Sequence, residues 1–163
     1  MKGTKVILGC DHGGFELKEK IKKFLIDGGY EVQDEGAPKF DSQDDYVDYA
    51  FKVARKVGAA EAKKMFQEEV KGVLFCRSAA GMVMAANKVK GARAAAAFDE
   101  TSSKHSREHN AANILALSGD WMDAEKAKKI LRIWLETPFG NEERHARRIR
   151  KITEEENANG SSC

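Results

Sequence analysis

The chain has 163 residues, 42% apolar and 33% charged, with a formal net charge of +2. That length suits one domain with a full core, and the near-neutral balance excludes a surface generally attractive to polyanions. No run approaches the ~20 apolar residues of a membrane span.

The first apolar run, Lys5-Val6-Ile7-Leu8-Gly9, is too short for a secretory signal and reads as a buried strand. Phe15, Leu17, Ile21, Phe24 and Leu25 then recur at helical spacing, and Gly28-Gly29 ends that helix. Tyr30 to Asp34 is a second strand. Gly36 to Asp45 is a loop rich in Asp and Ser, with Pro38. From Tyr46 a helix places Tyr49, Ala50, Val53, Ala54 and Val57 on one face. Residues 60–70 are charged and mixed, and their pattern assigns no element. Gly72 to Cys76 is a third strand and Met82 to Lys88 a helix. Ala92 to Ala97 is a fourth strand, weakly marked because alanine is a poor strand former. Asp99 caps a helix running to about Asn110. Asn113 to Leu117 is a fifth strand. Asp123 opens an amphipathic helix with Ala127, Ile130, Leu131, Trp134 and Leu135 inward, ending before Pro138. A basic helix covers 141–155, with Ile149 and Ile152 on its apolar side. The chain is therefore expected to be one domain, residues 1–155, with a flexible tail from 156 to 163.

Strand alternating with helix five times predicts an α/β fold. Its five-stranded parallel sheet is doubly wound, Rossmann-like, with helices on both faces. Ligands in such folds sit at the carboxyl ends of the strands. That rule gathers Cys10, Asp11 and His12; Cys76 to Gly81; Asp99 and Glu100; and Ser118 to Asp120. No GxGxxG or Walker A sequence supports a dinucleotide or nucleotide site.

Cys76 ends a buried strand and enters a small-residue turn with a helix behind it. A thiol there can have a lowered pKa and act as base or nucleophile; equally, buried cysteines are often inert. Asp11-His12 can bind hydroxyls, shuttle protons or hold a phosphate, or simply cap a helix. His109 can exchange a proton with a sugar oxygen, or merely favour a helix C-terminus; His105, one turn earlier, reads as a surface residue. Arg144, Arg147, Arg148 and Lys151 form one basic helix face, suited to a phosphate monoester or simply solvated. The His and Cys residues lack the paired spacing of zinc sites, so no metal is expected. A Cys10–Cys76 redox pair has no CxxC motif behind it. Three cysteines without regular spacing, Cys163 being in the tail, point to a reducing compartment and hence the cytoplasm.

Together the segments GCDHGGFELKEKI, DYVDYA, AANKVKGARAA, SREHNAANILAL and RHARR, in that order, resemble the ribose-5-phosphate isomerase B family. The broader group includes galactose-6-phosphate isomerase subunits. The resemblance spans most of the chain; segment 60–70 looks like an insertion and the tail falls outside. It implies a homodimer, in some members a tetramer, with active sites at the dimer interface and no cofactor or metal. It implies that Cys76 moves a proton between C1 and C2 of the sugar, with Ser78 and Asp11 beside it. Asp11 and His12 would contact sugar and phosphate, and Tyr46 would help bind the sugar. Backbone groups of Arg77, Ala79, Ala80 and Gly81 would stabilise the enediolate. His109 would assist ring opening, Asn110 would hold a hydroxyl, and Arg144 and Arg148 would bind phosphate. Two departures stand out. The family turn Cys-Gly-Thr-Gly-x-Gly is here Cys76-Arg77-Ser78-Ala79-Ala80-Gly81, which strains Arg77 or Ala79 if either position needs positive φ. A phosphate-binding Arg after strand five is here replaced near Asp120. Ribose 5-phosphate isomerisation is thus the leading expectation. Allose or galactose 6-phosphate isomerisation and non-catalytic sugar-phosphate binding stay open. Nucleic-acid binding through residues 144–151 is disfavoured by the charge balance and the lack of interleaved aromatics.

Overall fold

Five strands of three to seven residues form the sheet. They are β1 (Lys5–Cys10), β2 (Glu31–Asp34), β3 (Val70–Cys76), β4 (Ala94–Ala96) and β5 (Ile114–Ser118). Six α-helices alternate with them: α1 (Phe15–Asp27), α2 (Tyr46–Lys63), α3 (Ala80–Ala86), α4 (Glu100–Glu108), α5 (Ala124–Glu136) and α6 (Glu143–Asn159). This computed structural model describes residues 3–159. The strands form one all-parallel sheet in the order β2-β1-β3-β5-β4. The architecture is the expected α/β fold. The insertion of β5 between β3 and β4, however, is not visible in any local pattern.

Side chains alternate across the sheet, as the two-residue strand period requires. Val6, Leu8, Cys10, Val73, Phe75, Leu115 and Leu117 pack with Leu17, Ile21 and Leu25 of α1 and Ile130, Leu131 and Trp134 of α5. Ile7, Leu74, Cys76, Ile114 and Ala116 pack on the other face with Val53 and Val57 of α2 and Met82 and Ala86 of α3. Cys10 and Cys76 therefore lie on opposite faces, which separates the two thiols and removes the redox pair considered above. Burial pushes the Cys10 thiol up to about 12, so it stays protonated and acts as a small core hydrophobe.

Several boundaries differ from expectation for physical reasons. The second strand starts at Glu31 rather than Tyr30, because the Tyr30 N–H is taken by Leu25 C=O at the end of α1. The third strand starts two residues early, at Val70, where Gln67 Oε1 accepts from the N–H groups of Glu69 and Val70. The helix after Cys76 is α3, two residues earlier at both ends than expected. Ala79 in the left-handed region turns the chain into it, and Asn87 closes it while exchanging hydrogen bonds with Ala94 at 3.0 and 2.7 Å. β4 shortens to three residues, its approach held by Arg93 N–H donating to Asn113 Oδ1 at 2.8 Å. The fifth strand runs one residue later at each end than expected, from Ile114 to Ser118. α2 extends to Lys63, claiming the start of segment 60–70. The rest of that segment is a clasp: Glu68 pairs with buried Arg107 and Lys71, and Phe66 packs on Phe139 at 4.8 Å. α6 continues to Asn159, so residues 156–159 are helical rather than tail; 160–163, with Cys163, lie outside the described residues. Ile149 is buried as expected, but Ile152 is 53% exposed; His145 and Ala146 complete the inner face.

Candidate active site

Cys76 stands at the carboxyl end of β3, paired in register with Ser118 of β5. The chain must leave the sheet here, and Ala79 does so with φ +67°. Of the two substituted glycine positions, Ala79 carries the strain; Arg77 is not among the positive-φ residues. The turn folds the Ala79 N–H back onto the thiol, 3.1 Å from Sγ. Burial pushes the Cys76 thiol up, and the Asp11 carboxylate pushes it the same way. The N–H groups of Ala79, Met82 and Ser78 pull it down, but the balance is upward. This corrects the expectation of a lowered thiol: the turn supplies the donors, and the desolvated pocket outweighs them.

Asp11 follows β1 and caps the short 3-10 turn His12–Gly14, accepting the Gly14 N–H at 3.1 Å. It is 7% exposed, and burial raises its carboxyl above the ordinary range. His12 is held from the loop by Asp44, whose Oδ1 accepts from the His12 backbone N–H at 3.0 Å and pairs with ring Nδ1 at 2.7 Å. With Nδ1–H donating, Nε2 is left as the lone-pair nitrogen. Asp44 was not singled out from sequence; it is one of several acids in a loop, and only the fold shows which faces His12. Tyr46, at the start of α2, lies flat against Gly81, where a Cβ would sit 2.8 Å from the ring. Arg77 crosses the Gly13 backbone in the same way, a Gly13 Cβ falling 2.5 Å from Arg77 Cγ. Its guanidinium reaches Asp120 at 3.6 Å, so the two departures from the family pattern pair with each other. Ser78 is half-buried, Ala79 buried and Ala80 exposed.

His109, Asn110, Arg144 and Arg148 are not part of this cluster. α4 carries the chain back from the carboxyl edge, and His109 and Asn110 precede β5 at its amino edge, beyond Ile114. The length of β5 alone puts about 13 Å between that edge and Cys76. Within a single chain, His109 and Cys76 therefore do not share one set of strand ends. α6 lies with this second group: His145 stacks on His109 at 4.7 Å, and His105 stacks on His109 at 4.6 Å. Arg144 is exposed and donates to Glu142 at 2.8 Å; Arg148 is exposed on the same helix. One side-chain cluster in this group does carry ligand-type spacing. Ligand atoms of His105, Glu108 and His109, at i, i+3 and i+4 on one helix turn, lie within 4.8 Å of one another.

Residues 6–152 match the family model described as Ribose/Galactose Isomerase. Ribose-5-phosphate isomerase B of Escherichia coli strain K12 is 36% identical, covering 91% of this chain and 94% of its own. A crystal structure of a ribose 5-phosphate isomerase from Thermotoga maritima is 42% identical, with a TM-score of 0.83, covering 93% of this chain and 98% of that one. The structure of ribose-5-phosphate isomerase B from Mycoplasma genitalium with bound ribulose-5-phosphate is 36% identical. Its TM-score is 0.89, over 96% of this chain and 99% of that one. With residues 6–152 matched to the family model and relatives above 30% identity over nine-tenths of the chain, the chain belongs to the ribose/galactose isomerase family.

Proposed function

We propose that this protein interconverts ribose 5-phosphate and ribulose 5-phosphate through an enediolate, in the cytoplasm, with Cys76 as the base. The observation that carries the reading is the Cys76 turn: a strand-end thiol with backbone N–H groups converging on it and Asp11 alongside. Cys76 Sγ, once deprotonated, takes the proton from C2 of the open aldose and returns it at C1, while the O2 hydroxyl proton passes to O1, so that the aldehyde becomes the alcohol and C2 the ketone. The Ser78 hydroxyl and the turn N–H groups around Ala79 to Gly81 face the oxygen on which charge develops. Losing one such donor typically costs roughly 3–4 kcal/mol. Asp11, His12 and Tyr46 hold the hydroxyls and phosphate end. His109 moves a proton between the ring oxygen and O1 to open the ring, Asn110 holds a hydroxyl, and Arg144 and Arg148 take the phosphate. These proton transfers use side chains alone and call on no cofactor.

Because the two groups sit at opposite edges of one sheet, the complete site is built from two copies of the chain. Two surface features support that assembly. β4 is an edge strand of three half-buried alanines. Beside it lies a cleft of about 340 Å³ bordered by Asn110, Ala94 and Ile152. Met84 (69% exposed) and Ile152 (53%) leave further apolar surface for a partner to cover.

The test is conversion of ribose 5-phosphate by purified protein, with galactose 6-phosphate in parallel and Cys76→Ala as control. Turnover of the pentose phosphate is expected, falling about 10²- to 10⁴-fold in the variant. Turnover unaffected by Cys76→Ala, or binding without turnover of any sugar phosphate, would overturn the reading in favour of a sugar-phosphate-binding protein.

A further inference from the structure

The last turn of α4 carries three ligand-type side chains that the proposed reaction only partly uses. His105, Glu108 and His109 occupy i, i+3 and i+4, so all three project from one helix face. Their ligand atoms already lie within 4.8 Å of one another. His109 Nε2 is 3.9 Å from Glu108 Oε2. Two donors on a tetrahedral zinc at ~2.1 Å stand ~3.4 Å apart, so small side-chain rotations close the set. Two imidazoles and one carboxylate are the donor set that zinc prefers when it keeps one position open.

The helix end favours a cation, against the positive charge of Arg144 and Arg148 on the neighbouring α6. The cluster lies at a helix C-terminus, whose carbonyls carry partial negative charge. Lys104 Nζ, 3.8 Å from Glu108 Oε2, is the cation now balancing that carboxylate, and it is 57% exposed and free to swing away. His145 stacks on His109 with an interplanar angle of 13° and fixes that ring. Its own Nε2 is buried without a hydrogen-bond partner, and the His145 side chain is 10% exposed.

We propose that His105, Glu108 and His109 bind a divalent transition-metal ion, zinc being the best match, and that the bound ion withholds His109 from the sugar. The binding claim stands on the cluster alone; the inhibitory consequence rests on the role given to His109 above. Zinc occupies the ring nitrogen that ring opening needs free, so the ion acts as an off switch rather than as a participant in the reaction.

Zinc chloride is titrated calorimetrically into the full-length protein, wild type against His105→Ala, with ribose 5-phosphate turnover followed in parallel. His105 is exposed and lies outside the proposed reaction, so the variant is expected to fold and to keep uninhibited turnover within about twofold. Every cysteine is retained in it, so any thiolate-bound zinc appears equally in both titrations. The expected result is a zinc event in the wild type that weakens by more than roughly tenfold in His105→Ala. Glu108→Gln is expected to weaken the same event. Zinc inhibition, reversible by chelator, shifts by a matching factor. Identical zinc titrations of wild type and His105→Ala would overturn the site. A His105-dependent zinc event at full occupancy with undiminished turnover would overturn the inhibitory half. If the wild type shows no isomerase activity at all, the reaction assigned above falls, while calorimetry still decides the metal site.

Discussion

Arg77 and Asp120 each break the pattern that the family resemblance implies, and each taken alone reads as damage to a phosphate site. Their 3.6 Å pairing changes that reading: the acid is neutralised by the residue that replaced a glycine. Both are largely exposed, so the interaction is modest and screened. Arg77→Ala is expected to raise KM for ribose 5-phosphate about two- to fivefold with kcat nearly unchanged, by leaving Asp120 to repel the phosphate. Adding Asp120→Asn to that variant is expected to restore KM. Steady-state kinetics of the two variants check this, and an unchanged KM in Arg77→Ala would contradict it. The sequence made Arg77 and Asp120 visible as departures but could not show them touching. Asp44 shows the converse limit. Nothing in the run Asp41 to Asp48 marks Asp44 as the partner of His12, 32 positions away, because that contact depends on how the loop closes. His145 was equally hidden: its stacking on His109 is a property of α4 and α6 together.

At the scale of elements, periodicity located every strand and helix, and errors gathered where side chains compete with the backbone. Asn87, Gln67 and Asn113 each take backbone partners that end or start an element, and no propensity scale anticipates such contacts. The contact between α1 and β2 carries a buried charge that the sequence shows only as one Lys among many. Lys18 is 1% exposed and reaches Asp34 at 2.9 Å, Glu19 at 2.9 Å and Ala37 C=O at 3.2 Å. Burial pushes the Asp34 carboxyl up, but hydrogen bonds from Lys22 and Lys18 more than reverse it, holding it below the usual range. A carboxyl lowered in the folded state contributes stability above its unfolded pKa and loses it as pH falls through the folded value. Asp34→Asn is therefore expected to destabilise by about 1–3 kcal/mol at pH 7. The difference from wild type should shrink as pH drops below about 4. Urea unfolding of both proteins across that range is the check, and a gap that widens on acidification would contradict the assignment.

At the scale of the molecule, the doubly wound sheet was legible because strands and helices alternate cleanly. The strand order was not, since β5 enters between β3 and β4 without a local signal. A helix after a parallel strand must return the chain to the amino edge, so the end of α4 cannot lie beside Cys76 in one chain. That geometry makes the proposed site a shared one: in it Cys76, Asp11 and His12 come from one copy, and His109, Asn110 and Arg148 from another. Subunit complementation tests it most directly. Cys76→Ala and His109→Ala proteins, each nearly inactive, are unfolded together and refolded as a mixture. Random pairing makes half of the dimers mixed, each with one intact site of two, so about a quarter of wild-type turnover should return. A mixture that stays as inactive as its parents would contradict a site built from two chains.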